Sequence, residues 1–163
     1  MKKILLLAIA TSALIFYGCE KDEESEQQTF FVQVYTQYEN YFTGELEQEQ
    51  LADKACVCLF ENIGKTVDAE KSKSSVVSDG KITYSDGTVA EPEYQTGYLP
   101  GVFTLENVKN GSYILWVTYN TYSVFYSSYK TIQVNSDYQG ETEKKVFVIK
   151  SFEETGTYRF QNW

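Results

Sequence analysis

Histidine is absent from all 163 residues, and that absence closes off much enzymology. Ser-His-Asp and Cys-His nucleophile arrangements need an imidazole base, and metal centres built on imidazole need it as a ligand. Positive charge is scarce too: Arg159 is the sole arginine, no basic cluster exists, and the formal charge is −9. Nucleic-acid binding draws most of its affinity from phosphate neutralisation, so the reading is no nucleic-acid partner. Two prolines and one methionine stand beside 14 tyrosines and an aromatic share of 16 %. That mixture suits pleated sheets rather than helix bundles.

Long apolar runs are missing except at the start. Lys2 and Lys3 precede an uncharged run, residues 4 to 17, that is 14 residues long. A membrane-crossing helix needs about 20 such residues, so the run reads as a secretory signal and not a span. Gly18 then places a small residue against Cys19. The arrangement resembles the bacterial lipoprotein signal, or lipobox, in its looser Bacteroidetes-type form, since Phe16 and Tyr17 stand where Leu and a small residue are more usual. The resemblance implies that residues 1–18 are removed and that Cys19 carries diacylglycerol; two acyl chains anchor a protein stably where one does not. A plain secretory peptide with a chance cysteine is the alternative. Residues 20 to 28, EKDEESEQQ, hold five acids, one lysine and nothing hydrophobic. Segment 19–28 therefore reads as a lipidated cysteine and an extended acidic tether. Lys21, Asp22, Glu23 and Glu24 are similar to the export signal that sends such lipoproteins to the cell surface. The implied location is the outer membrane, facing outward, with its periplasmic face as the alternative.

Loss of residues 1–18 takes Lys2 and Lys3 with it, so −9 becomes −11 on the remaining 145 residues, enough for one domain. Residues 29–163 read as a single all-β domain, an antiparallel sandwich of seven to eight strands. Strand patterns occupy 29–36, 54–61, 101–108, 112–119, 129–134, 143–150 and 157–162. Asp79-Gly80 and Asp86-Gly87 are each expected to turn a hairpin, the first joining SSVVS to KITYS. Residues 39–54 lack a clear apolar stripe and read as a loop with scope for a short helix. In the strands at 103–117, Phe103, Leu105, Tyr113, Leu115 and Val117 form one apolar face, and Gly111 is expected to supply a positive φ.

The run FTLENVKNGSYILWV, through Phe103, Leu105, Asn107, Val108, Gly111, Tyr113, Leu115 and Val117, resembles transthyretin-like domains, including carboxypeptidase regulatory-like domains. LADKACVCLFENIGK is similar to their early strand at Leu51, Ala55, Val57, Leu59 and Gly64. The resemblance implies a prealbumin-like sandwich. Residues 66–100 depart from it as an insertion that leaves the strand order open.

Few groups remain to carry chemistry. Cys56 and Cys58 would share one strand face, their α-carbons roughly 6.6 to 6.8 Å apart and so at the limit of disulfide geometry. They read as small buried hydrophobes. Asp79, Asp86 and Glu91 lie on expected turns, but their spacing is not that of a calcium loop. No metal and no cofactor is assigned. Tyr119, Tyr122, Tyr126 and Tyr129, within residues 118 to 130, are the candidate contacts for a ligand or partner, because exposed tyrosines suit protein interfaces and sugar stacking alike. The leading reading is a lipid-anchored, non-catalytic binding or structural module, partnered by the membrane and by envelope proteins or glycans. Two others stand beside it: a glycan-binding accessory lipoprotein with a flat row of exposed tyrosines, and a small hydrolase with two carboxylates converging in a cleft.

Overall fold

Alternating side chains organise the first strand, β1 (Gln27–Glu39): Phe30, Val32 and Val34 are fully buried, while Phe31, Gln33 and Tyr35 between them are half-buried. A computed structural model of the chain describes residues 27–121, 124–138, 142–150 and 154–163. Among these residues the fold is mostly β, with mixed sheets and one helix. After β1 come β2 (Gln50–Leu51), β3 (Ala55–Glu61), α1 (Ala69–Asp79), β4 (Ile82–Thr83), β5 (Val89–Ala90) and β6 (Tyr94–Gln95). Then follow β7 (Val102–Lys109), β8 (Gly111–Thr121), β9 (Val124–Val134), β10 (Thr142–Lys150) and β11 (Tyr158–Phe160).

One sheet is built around β1. β7 pairs antiparallel with residues 27–33 of β1, β2 with Tyr35 and Thr36, and β10 runs parallel to β1. A second sheet has the order β11-β9-β8-β3-β6, and β4-β5 is a separate two-stranded unit. The expected purely antiparallel pairing is therefore corrected: β1 with β10 and β9 with β11 are parallel pairs. The cause is a change of sheet between β9 and β10. β9 ends at the pole where β1 begins, so β10 starts there and runs alongside β1 in the same direction.

Phe30, Val32 and Phe147 of the first sheet share one buried cluster with Leu59, Leu115 and Val117 of the second. A second cluster lies on the other face of the five-stranded sheet, where Cys58, Phe60, Ile114 and Trp116 meet Val76 of α1, Ile82 and Tyr84. β8 is thus buried on both faces, which strict alternation did not anticipate.

The segment 66–100 supplies this extra cover. Asp79-Gly80 does not turn a hairpin; SSVVS is helical. Asp68 caps the helix, its Oδ1 accepting from Lys71 N at 3.1 Å, and Gly80 at φ 70° closes the other end with its N–H on the Val76 carbonyl. A left-handed glycine serves a helix C-cap as readily as a hairpin turn, which is why the dipeptide misleads. Asp86-Gly87 does turn the β4-β5 hairpin, with Gly87 N bonded to Tyr84 O. Residues 39–54 contain no helix; they hold a turn, an isolated bridge between Glu39 and Leu46, and β2.

Gly111 is not at positive φ; that conformation falls to Asn107 at φ 59°. There β7 carries an extra residue against β1, a bulge marked by the register shift between Gln28 and Phe30. Gly101 is required for a different reason: a Cβ there would lie 2.2 Å from the Val34 carbonyl oxygen, while Val34 N donates to Gly101 O at 2.7 Å.

The 13 residues of β1 span about 40 Å at 3.3 Å per step and define two poles. Gln27 pairs with Lys109, so the near pole carries the β7-β8 turn. Tyr35 pairs with Leu51 and Ala55 with Tyr119, so the far pole carries the end of β1, the start of β3 and the end of β8.

Candidate functional site

Three chain segments finish together at the far pole and leave a cleft of about 560 Å³ between them. β1 contributes Thr36 and Tyr38, the link into β3 contributes Asp53, and β8 contributes Tyr119, Asn120 and Thr121. Their approach is fixed by backbone: Asn120 N donates to Lys54 O at 3.0 Å, and Glu47 N to Tyr38 O at 2.8 Å. A cleft of this size falls within the range of small-ligand sites.

Hydroxyls dominate its inner wall. Burial pushes the Tyr119 phenol well above its ordinary value, and its hydrogen bond with Tyr38 adds to the effect, while one with Thr121 opposes it. Tyr119 thereby links Tyr38 and Thr121 in one string of hydroxyls. Asn120 stands beside them with its Oδ1 buried and without a hydrogen-bond partner. An unmade hydrogen bond at a buried acceptor costs about 1–3 kcal/mol. At the rim Asp53 and Lys54 are both exposed, and neither forms a salt bridge with another described residue.

A second cleft of about 350 Å³ opens at the near pole, lined by Glu61, Glu93, Tyr94 and Tyr113. Several of its polar groups are already engaged: Tyr94 Oη donates to Asn107 O at 2.9 Å, Tyr113 Oη to Lys109 O at 3.0 Å, and Asn62 Nδ2 to Ser112 Oγ at 3.0 Å. Glu61 and Glu93 give the pair of carboxylates that a hydrolase would require, but both are exposed. A general acid working near neutral pH needs burial or a like charge held close to raise its pKa.

No family model, curated protein or solved structure matches this chain. Its site is therefore read from its own geometry.

Of the four tyrosines singled out, Tyr119 and Tyr126 are buried, at 3 % and 1 % exposure, and pack with Phe147 in the first core. Tyr129 is half-buried, stacked on Trp116 with centroids 5.5 Å apart and planes 4° from parallel. These three do not form an exposed row. The reason is the double cover on β8 and β9, which lets both faces of the strand pair bury aromatic rings. Tyr122 and Cys19 lie outside the described residues. Tyr119 lines the far-pole cleft.

Cys56 and Cys58 are free and buried in the second core; Cys56 Sγ donates to Thr96 O at 3.1 Å. Contact with Cys56, reinforced by burial, raises the Cys58 pKa well above its ordinary value. Asp86 is engaged by Lys65 Nζ at 2.8 Å and by Thr88 Oγ1 at 2.6 Å, and Glu91 by Lys81 at 2.7 Å. Among the described residues no group of three His, Cys, Asp or Glu side chains could hold a metal ion, and no helix is long and apolar enough to cross a membrane.

Sequence reasoning missed Tyr38, Asp53 and Asn120. Asn120 carried a signal: an asparagine inside a tyrosine-rich strand is out of place on propensity alone.

Proposed function

We propose that this chain is a lipid-anchored envelope lipoprotein whose folded domain is a non-catalytic binding module, displayed at the cell surface with its far pole outward. The observation that carries the reading is the N-terminal series of Lys2-Lys3, a 14-residue uncharged run, Gly18-Cys19 and an acid block. The first strand begins at Gln27, eight residues after Cys19. Eight residues reach at most roughly 26 to 29 Å, so an anchored domain would sit close to the lipid. β1 then leads away from the anchor, and the far-pole cleft lies at its other end. An acidic domain is repelled by anionic headgroups, which favours presentation away from the bilayer.

Two sheets sharing the core of Phe30, Leu115 and Phe147 support a sandwich of the transthyretin-like type, enlarged by the segment 66–100. The hydrolase reading keeps one observation, the near-pole pair Glu61 and Glu93, and ranks second because neither is withdrawn from water.

Growth on radiolabelled fatty acid tests the anchor. The wild type should incorporate label and fractionate with membranes, and Cys19→Ser should lose both; equal labelling of the two would overturn the assignment. Protease shaving of intact cells should remove the domain, and full protection would place it on the periplasmic face.

A further inference from the structure

We infer that the far-pole cleft is a carbohydrate site that takes a short neutral glycan segment through its hydroxyl groups. The inference rests on the binding-module reading and assigns that module its ligand class. Four observations carry it.

Asn120 supplies the first. Its Oδ1 is a buried acceptor without a protein partner, on a residue that lines the cleft beside the hydroxyl-bearing Thr36, Tyr38, Tyr119 and Thr121. With the amide turned so that this oxygen faces the cleft, a sugar hydroxyl would satisfy it and offset the cost of the unmade bond.

Charge supplies the second. Asp53 and Lys54 are neighbours of opposite sign at the rim, so the site carries no net charge and offers neither a phosphate nor a polyamine a preferred seat. A sugar hydroxyl, being donor and acceptor at once, can use the carboxylate, the ammonium and the hydroxyl string together.

Polarity supplies the third: Leu51 is the one aliphatic residue in the lining, so a lipid or apolar ligand would find little to bury against. An extended peptide would instead seek an unpaired strand edge.

The fourth is an aromatic tip on the same pole. The turn after β1 carries Tyr41 and Phe42, 65 % and 92 % exposed, with rings edge to face at 5.2 Å. Asn40 Oδ1 holds that turn by accepting from Phe42 N at 2.9 Å and Thr43 N at 3.1 Å. An aromatic ring presented on a braced turn offers the flat apolar surface on which the C–H face of a pyranose stacks. The near-pole cleft has no counterpart to either the orphaned acceptor or the exposed ring.

The test uses full-length chain purified in detergent and titrated calorimetrically with four neutral trisaccharides, those of glucose, mannose, xylose and N-acetylglucosamine. At least one should bind with Kd of about 1 mM or tighter. Asp53→Ala removes an exposed carboxylate with no ion pair to lose, so the protein should fold normally and bind about tenfold more weakly, the loss expected for a charged hydrogen bond. Asn120→Ala should weaken binding similarly, and Phe42→Ala by a smaller factor. Failure of all four sugars at about 10 mM, or binding undiminished in Asp53→Ala with an unchanged melting temperature, would overturn the inference. Mass spectrometry of Cys19 on the same preparation separates the two readings. Lipidated protein that binds no sugar sinks the glycan site alone, and sugar binding by unlipidated protein sinks the anchor alone.

Discussion

Replacing Lys145 with methionine should flatten the alkaline stability profile of this protein. Lys145 is 4 % exposed on the inward side of β10, and its ammonium donates to the Asn162 carbonyl beside the rings of Phe147 and Trp163, at 5.1 and 5.9 Å from their centroids. The neighbouring carboxylate on its own strand, Glu143, is engaged by Lys130. Burial without a counter-ion disfavours the charged form and brings the Lys145 pKa down from 10.5 to about 8. Below pH 8 the lysine is protonated in both folded and unfolded chains, and the full penalty of burying the charge is present. Between pH 8 and 10.5 the unfolded chain holds a proton that the folded chain lacks, so stability rises with pH. Above 10.5 the penalty is gone. A shift of this size is worth at most about 3 kcal/mol at 1.36 kcal/mol per unit. The Asn162 carbonyl and the two rings favour the charged form, so about 1 to 2 kcal/mol is the expected rise. Urea midpoints for wild type and Lys145→Met at pH 7, 8, 9 and 10 measure it, because tyrosine and thiol titrations common to both chains cancel in the difference. The wild type should gain on the variant by that amount between pH 7 and 10. Parallel profiles would refute the argument.

Gly101→Ala should destabilise the domain by about 2 to 4 kcal/mol in the same urea assay, since the new methyl meets the Val34 carbonyl, a backbone group that cannot swing aside. Asp68→Ala removes the cap from α1 and should lower the urea midpoint; amide exchange should rise first at Lys71, whose N–H it releases.

Parity along single strands was legible in the sequence. Phe103, Leu105, Tyr113, Leu115 and Val117 are all buried, as their spacing requires. The Asp86-Gly87 turn was legible too, because a tight hairpin is a local event. Pairing between distant strands was not: nothing in residues 142–150 states that they lie parallel to β1, since that depends on the pole from which the chain returns. α1 was hidden by weak amphipathicity, with only Ser72 and Val76 buried among its eleven residues, and its capping residues read equally well as turn formers. The burial of Tyr119 and Tyr126 was not legible for a related reason. A strand pair covered on one face must leave half its rings in water, but the cover supplied by the segment 66–100 removes that requirement. Tyr119 was picked out as a contact on grounds of exposure, and it reaches the cleft from the buried side.

The same double cover decides where a ligand can bind. On the five-stranded sheet, β8 is packed on both sides along its middle, Leu115 against the first core and Trp116 against the second. Side chains there hold the sheets together, and truncating one of them costs about 2 to 5 kcal/mol through the cavity it leaves. Recognition is therefore driven to the strand ends, where packing stops before the backbone does. Tyr38 lies next to the end of β1, Asp53 just ahead of β3, and Asn120 and Thr121 close β8. At such positions a polar group can stay unsatisfied in the free protein at a cost the core can bear. For that reason the exposed far-pole residue Asp53 can be changed with little effect on folding, whereas Trp116 or Leu115 cannot.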